Sequence, residues 1–211
     1  MTPNLPRLHL VTDDGVLEAP DFVAWAGRIL AAHGPAIALH LRGRGRPGGE
    51  LLRLAEALAP VAQESGALLL VNDRVDVALA AGAGGVQLGA RSIPVGAARR
   101  LLGDGAWIGY SAHGAAEAAN VVADGADYVI FGTVFPSASH PGGATSGVEG
   151  LRDAVEAAGA PVVAIGGITP ERVAAVRATG AHGVAVLGGV WRAECPVDAV
   201  ARYLVAIGEG S

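Results

Sequence analysis

The stretch PVVAIGGITPERVAAVRATGAHGVAVLGG, Pro161 to Gly189, decides the fold. It holds two short apolar runs, PVVAIGG and HGVAVLGG, and between them TPERVAAVRATG, whose apolar residues recur every three or four positions. The runs read as strands and the intervening segment as an amphipathic helix closed by a glycine C-cap. A strand, a helix and a second strand of this length make a parallel crossover unit.

The same unit recurs outward from this stretch. Further apolar runs are LHLV, AIALHL, ALLLV, GGVQL, WIGYS and DYVIFG, so eight strands are expected in all. Helical segments alternate with them: DFVAWAGRILAAHG, ELLRLAEALAPVAQESG, VDVALAAGAG, AARRLLGDG, AAEAANVVADG and GLRDAVEAAG, with PVDAVARYLVAIG after the last strand. Eight units favour closure into a (β/α)8 TIM barrel over an open doubly wound sheet. The open sheet would be helped by G-x-G-x-x-G after its first strand, but here that strand runs into VTDDG. No linker or composition break divides residues 1–211, which are expected to form one barrel domain.

Composition narrows the function. Half of the 211 residues are hydrophobic (51%), enough for a substantial core. A formal net charge of −5 argues against nucleic acid or an anionic membrane as the main partner, because those surfaces attract a basic excess. A single cysteine, Cys195, excludes an internal disulfide framework and suits a reducing compartment. The N-terminal stretch has no apolar run of signal-peptide length, so a cytoplasmic protein is expected.

In a barrel of this kind the C-terminal strand ends and the loops after them form the active-site face. On the second strand, alternation puts Ile37, Leu39 and Leu41 on one side and Ala38, His40 and Arg42 on the other. His40 and Arg42 are expected to point toward the mouth, with Arg44 and Arg46 continuing a cationic series that could clamp phosphate or carboxylate, or form a solvated basic loop. Gly166 and Gly167, then Leu187, Gly188 and Gly189, end the last two strands. Their backbone amides could approach a phosphate, or the glycines could serve only tight turns. On the fifth strand Ser111 and His113 are expected to face the mouth, the histidine as a proton carrier or as a residue bonded to a loop carbonyl. Asn72 and Asp73, in VNDRVD, could bind a heterocycle or a magnesium ion, or cap the helix that follows. His9 and His182 read as interior residues and His33 as a helix end.

Taken in order, LVTDD, LLVNDRVDVALAAGAGGVQLG, ADYVIFGTVFPSASH, VVAIGGIT and GVAVLGGV resemble the thiamine phosphate synthase superfamily over nearly the whole chain. The resemblance implies one of two chemistries. A synthase joins hydroxymethylpyrimidine diphosphate to thiazole phosphate with magnesium; a thiazole tautomerase aromatises a 2-carboxy-thiazole phosphate that carries an exocyclic ylidene. Synthases of that superfamily typically show glutamine, arginine and lysine where this chain has His40, Arg42 and Arg44, a second magnesium aspartate where it has Ser92, and a lysine where it has His140.

Those departures, with the S-x-H element at Ser111 and His113, lead us to expect the tautomerase. His113 would shuttle the proton, and no metal or organic cofactor would be needed; Asp73 would meet magnesium only in a synthase. The expected ligand is a small thiazole phosphate, held by His40, Arg42, Arg44, Asn72, Ser111, Ser137, Ser139, His140 and the two glycine pairs with Leu187. The resemblance leaves room for a homodimer. A synthase and a non-catalytic thiazole phosphate sensor are the rival readings.

Overall fold

The structure is a computed structural model that describes residues 4–137 and 142–208. Eight parallel strands close in chain order into a barrel, with β1 paired to both β2 and β8. They are β1 (Leu8–Val11), β2 (Ile37–Leu41), β3 (Leu68–Asn72), β4 (Gly85–Leu88), β5 (Trp107–Ala112), β6 (Tyr128–Phe131), β7 (Val162–Ile165) and β8 (Gly183–Val186). Helices separate them: α1 (Asp14–Glu18), α2 (Phe22–His33), α3 (Gly48–Ser65), α4 (Val75–Ala81), α5 (Val95–Leu102), α6 (Ala115–Ala123), α7 (Gly147–Ala158), α8 (Val173–Arg177), α9 (Gly188–Trp191) and α10 (Pro196–Ile207). Among the described residues no helix is long and apolar enough to cross a membrane.

Strand alternation sorts two cores. Side chains such as Leu8, Leu10, Ile37, Leu39, Leu41 and Ile108 face outward and pack under the helices. Val11, Ala38, Leu70, Tyr128, Ile130, Val163 and Ala185 fill the barrel interior. Because both faces of each strand are buried, the strands read as continuous apolar runs.

Helix ends follow local chemistry. Asp13 caps α1 by accepting from the Val16 amide at 2.9 Å, and Gly66, Gly82 and Gly159 end α3, α4 and α7 in the left-handed conformation. That glycine stops α4 at Ala81, although the sequence pattern suggested that it continued to Gly84. The last two strand-to-helix turns are tied to the rest of the barrel. Trp191 of α9 donates from its indole N–H to the Val11 carbonyl at 2.9 Å, and Tyr203 of α10 donates to the Ile168 carbonyl at 3.0 Å.

Candidate active site at the barrel mouth

Thr12, the residue after β1, organises the first part of the mouth. Its hydroxyl accepts from the Arg42 amide at 2.8 Å and approaches the carbonyls of His40 and Arg42 at 3.2 and 3.1 Å. This pins the end of β2 so that Arg42 emerges at the rim, half-buried. Burial and the neighbouring Arg44 press the Arg42 guanidinium below its ordinary proton affinity, while Asp73, Asp13 and Asp14 pull it back up. Arginine keeps its charge under such pressure, so Arg42 is a partly desolvated cation beside a carboxylate-bearing rim.

The rest of the cationic series divides. Arg44 is exposed and makes no hydrogen bond or ion pair to another described residue. Arg46 turns away from the clamp expected of it, because Glu18 at 3.2 Å and Glu50 at 2.8 Å hold its guanidinium. Asp14 accepts from the Gly45 amide and so fixes the loop that carries Arg44.

His40 corrects the expectation more sharply. It is fully buried inside the barrel, not at the mouth, and its Nε2 lies 2.8 Å from His9 Nδ1. The alternation of β2 is as expected, but His40 sits one inward position below Arg42, where the barrel is already closed.

Across the mouth, Asn72 ends β3 and the exposed Asp73 follows it with φ 63°. Ser92, from the loop after β4, donates to Asp73 Oδ1 at 2.5 Å and receives the Gly89 amide at 2.9 Å. Ser111 faces inward from β5 and accepts from Gln87 Nε2 at 2.9 Å. Gln87 escaped the sequence reading, although the alternation of GGVQL places it inside. A side chain at Gly109 would overlap Gln87 Oε1 and the Tyr128 hydroxyl, so glycine there makes room for this interior polar group.

His113 stands beyond the end of β5, exposed, with Nδ1 2.6 Å from the Gly132 carbonyl and its backbone N–H donating to Glu117 at 2.8 Å. A carbonyl can only accept, so Nδ1 carries the hydrogen of this contact. The ring thereby ties the loop after β5 to the loop after β6.

Gly166 and Gly167 adopt φ of 105° and 60°, and a side chain on either would strike Thr133, Phe135 or Pro136. Their first demand is therefore close passage of the loop after β6, whose Phe135 amide donates to the Gly166 carbonyl at 3.0 Å. Arg172, which sequence reasoning did not single out, donates to the Gly167 carbonyl at 2.5 Å and lies over the Phe135 ring. Leu187 precedes Gly188 and Gly189, which open α9 and whose first-turn amides lack helical acceptors. Ser137 lies half-buried in the loop after β6; Ser139 and His140 lie outside the described residues.

Among the described residues no group of three or more His, Cys, Asp or Glu could hold a metal ion by itself. Asp73 offers one carboxylate, and its bond to Ser92 engages one oxygen. Magnesium takes one or two protein carboxylates and completes its shell with substrate phosphate and water. The donor set therefore fits an ion that is bound jointly with a diphosphate and does not fit one held by protein alone.

A model of the thiamine monophosphate synthase family matches residues 8–190. The chain is 42% identical to the thiamine-phosphate synthase of Chlorobium luteolum over 98% of its own length and 94% of the relative's. It is 43% identical to that of Methanoculleus marisnigri, covering 93% and 92% of the two chains. A solved structure of thiamine phosphate pyrophosphorylase from Pyrococcus furiosus superposes with a TM-score of 0.81 at 33% identity, covering 96% of each chain. These likenesses overturn the tautomerase expectation, and with it the isomerase role of His113.

Proposed function

Because the chain belongs to the thiamine monophosphate synthase family, we propose that it is a transferase that joins hydroxymethylpyrimidine diphosphate to thiazole phosphate and releases pyrophosphate. The observation that carries this reading is the full-length likeness to relatives named as synthases. The barrel mouth is chemically compatible with it, since Arg42 and Asp73 are electrostatically coupled there.

In this reaction the thiazole ring nitrogen forms a bond to the pyrimidine methylene carbon. The bond from that carbon to the diphosphate oxygen breaks, and its electron pair departs with pyrophosphate. No proton leaves carbon, so no general base is required, which accounts for an exposed His113 without a proton to move. The protein's task is to bring the two substrates together and to stabilise the departing charge.

Arg42 meets that charge as a partly buried cation, and Arg44 adds a second from the rim. Asp73 would hold magnesium against the diphosphate; when bound, the ion neutralises charge on the leaving group. Asn72 and Ser111 supply polar contacts to the heterocycles. The amides of Gly166, Gly167, Gly188 and Gly189, with Leu187 beside them, receive the thiazole phosphate, and Ser137 flanks it from the loop after β6.

The test mixes both substrates with the protein and magnesium and follows thiamine phosphate and pyrophosphate, which should appear in equal amounts and cease on chelation. A folded protein that forms neither product overturns the reading.

A further inference from the structure

The barrel interior holds a run of polar side chains that the proposed chemistry does not use directly, and its hydrogen-bond direction can be read from one end. The Pro6 carbonyl can only accept, so His9 Nε2, 2.9 Å away, carries a hydrogen. A neutral imidazole has one N–H, which leaves His9 Nδ1 as an acceptor. His40 Nε2, 2.8 Å from it, must therefore donate. His40 Nδ1 is left as a lone pair pointing the other way.

That nitrogen is buried without a partner, and so is Oδ1 of Asn72, which stands on the neighbouring β3 two residues beyond Leu70, the register partner of His40. Two acceptors left unpaired in a dry interior are destabilising. A second proton on His40 would satisfy both, but complete burial and the adjacent His9 oppose it. An Asn72 amide turned by half and brought to that nitrogen would satisfy it, because the NH2 donates where the oxygen can only accept.

We propose that His9 and His40 are positioning residues: a relay of one polarity, from Asn72 through His40 and His9 to the Pro6 carbonyl, fixes the Asn72 amide with its NH2 inward. Residue 72 then offers its carbonyl oxygen, an acceptor, to the ligand. This rests on the synthase reading, in which the pyrimidine amino group is the donor that meets it. His9 touches no substrate and acts through two other side chains.

Long-range nitrogen–proton NMR spectra of the 15N-labelled wild-type protein at pH 7 test the relay without turnover. Both rings should be Nε2–H tautomers; an Nδ1–H or doubly protonated His40 overturns the proposal. Kinetics then test its use. His9→Phe keeps an aromatic ring but removes the acceptor, and should raise KM for hydroxymethylpyrimidine diphosphate about tenfold while kcat changes less than about threefold. His9→Gln can both accept from His40 and donate to Pro6, and should return KM to within about threefold of wild type. Equal losses in the two variants would reduce His9 to packing and overturn the proposal. A wild type that makes no thiamine phosphate would instead sink the synthase reading, while the tautomer spectra would still decide the relay.

Discussion

Histidine occupies two regions of this barrel under opposite rules. Inside, His9 and His40 are cut off from water, and burial drives the proton affinity of both down, that of His9 to about 3. At the mouth, His113 is exposed and spends one nitrogen on a loop carbonyl. Charge is expelled from the first region and collected in the second, where Arg42, Arg44, Asp73, Asp13 and Asp14 surround the opening. Residue type alone therefore says little about role; the surrounding water decides it.

The comparison breaks first if the mouth does not depend on its charges. Asp73→Asn should lower the rate of pyrophosphate release roughly 10²–10³-fold, the several kcal/mol that a metal contributes to a departing anion. Steady-state assays across a magnesium titration would check this, and a loss below about tenfold would remove Asp73 from the metal site.

Acid tests the interior. Unfolded, each histidine takes a proton near pH 6.5, whereas folded His9 does so only near pH 3. Below pH 6.5 the unfolded chain binds more protons, so stability falls with pH by about 1.4 kcal/mol per unit for each buried histidine. Urea midpoints at pH 7.5, 6.5 and 5.5 should therefore drop mainly over the last interval, and His9→Gln should flatten that drop by about half.

Two smaller effects sharpen the contrast within the mouth. Arg44→Ala should raise KM for the diphosphate substrate about three- to tenfold, and the penalty should shrink in high salt because this cation is exposed. His113→Ala should change kcat/KM by less than about threefold, since the reaction moves no proton from carbon. A larger loss would mean that the tie between the loops after β5 and β6 shapes the substrate pocket.

Much of this was legible in the sequence, for identifiable reasons. All eight strands fall on the apolar runs that announce them, β3 and β5 each running one residue further, because a parallel barrel buries both strand faces. Arg42, Asn72, Asp73 and Ser111 fall at strand ends, where periodicity alone places them. α1 was not foreseen: five residues after a capping Asp13 are too few to show a helical period. The pairing of His9 with His40 spans 31 positions and depends on the register Val11 to His40, which no local pattern carries. Arg46 could not be told from Arg44 without seeing Glu18 and Glu50 beside it. The chemistry is legible only from the whole chain: Ser92, His140 and the S-x-H element at Ser111 and His113 point to a tautomerase, whereas the continuous likeness around them points to a synthase.

The bond from Tyr203 to Ile168, and that from Trp191 to the first strand, set an order of events during synthesis. The turns proposed to receive the thiazole phosphate are braced by a helix near the end of the chain, and the barrel's seam is locked by a side chain 180 positions from its acceptor. A ribosome that has released only the first seven strands holds an open sheet with a bare edge at β1 and no finished pocket. Ligand affinity in such a barrel should arrive abruptly, when α10 docks, and not in proportion to the length already made.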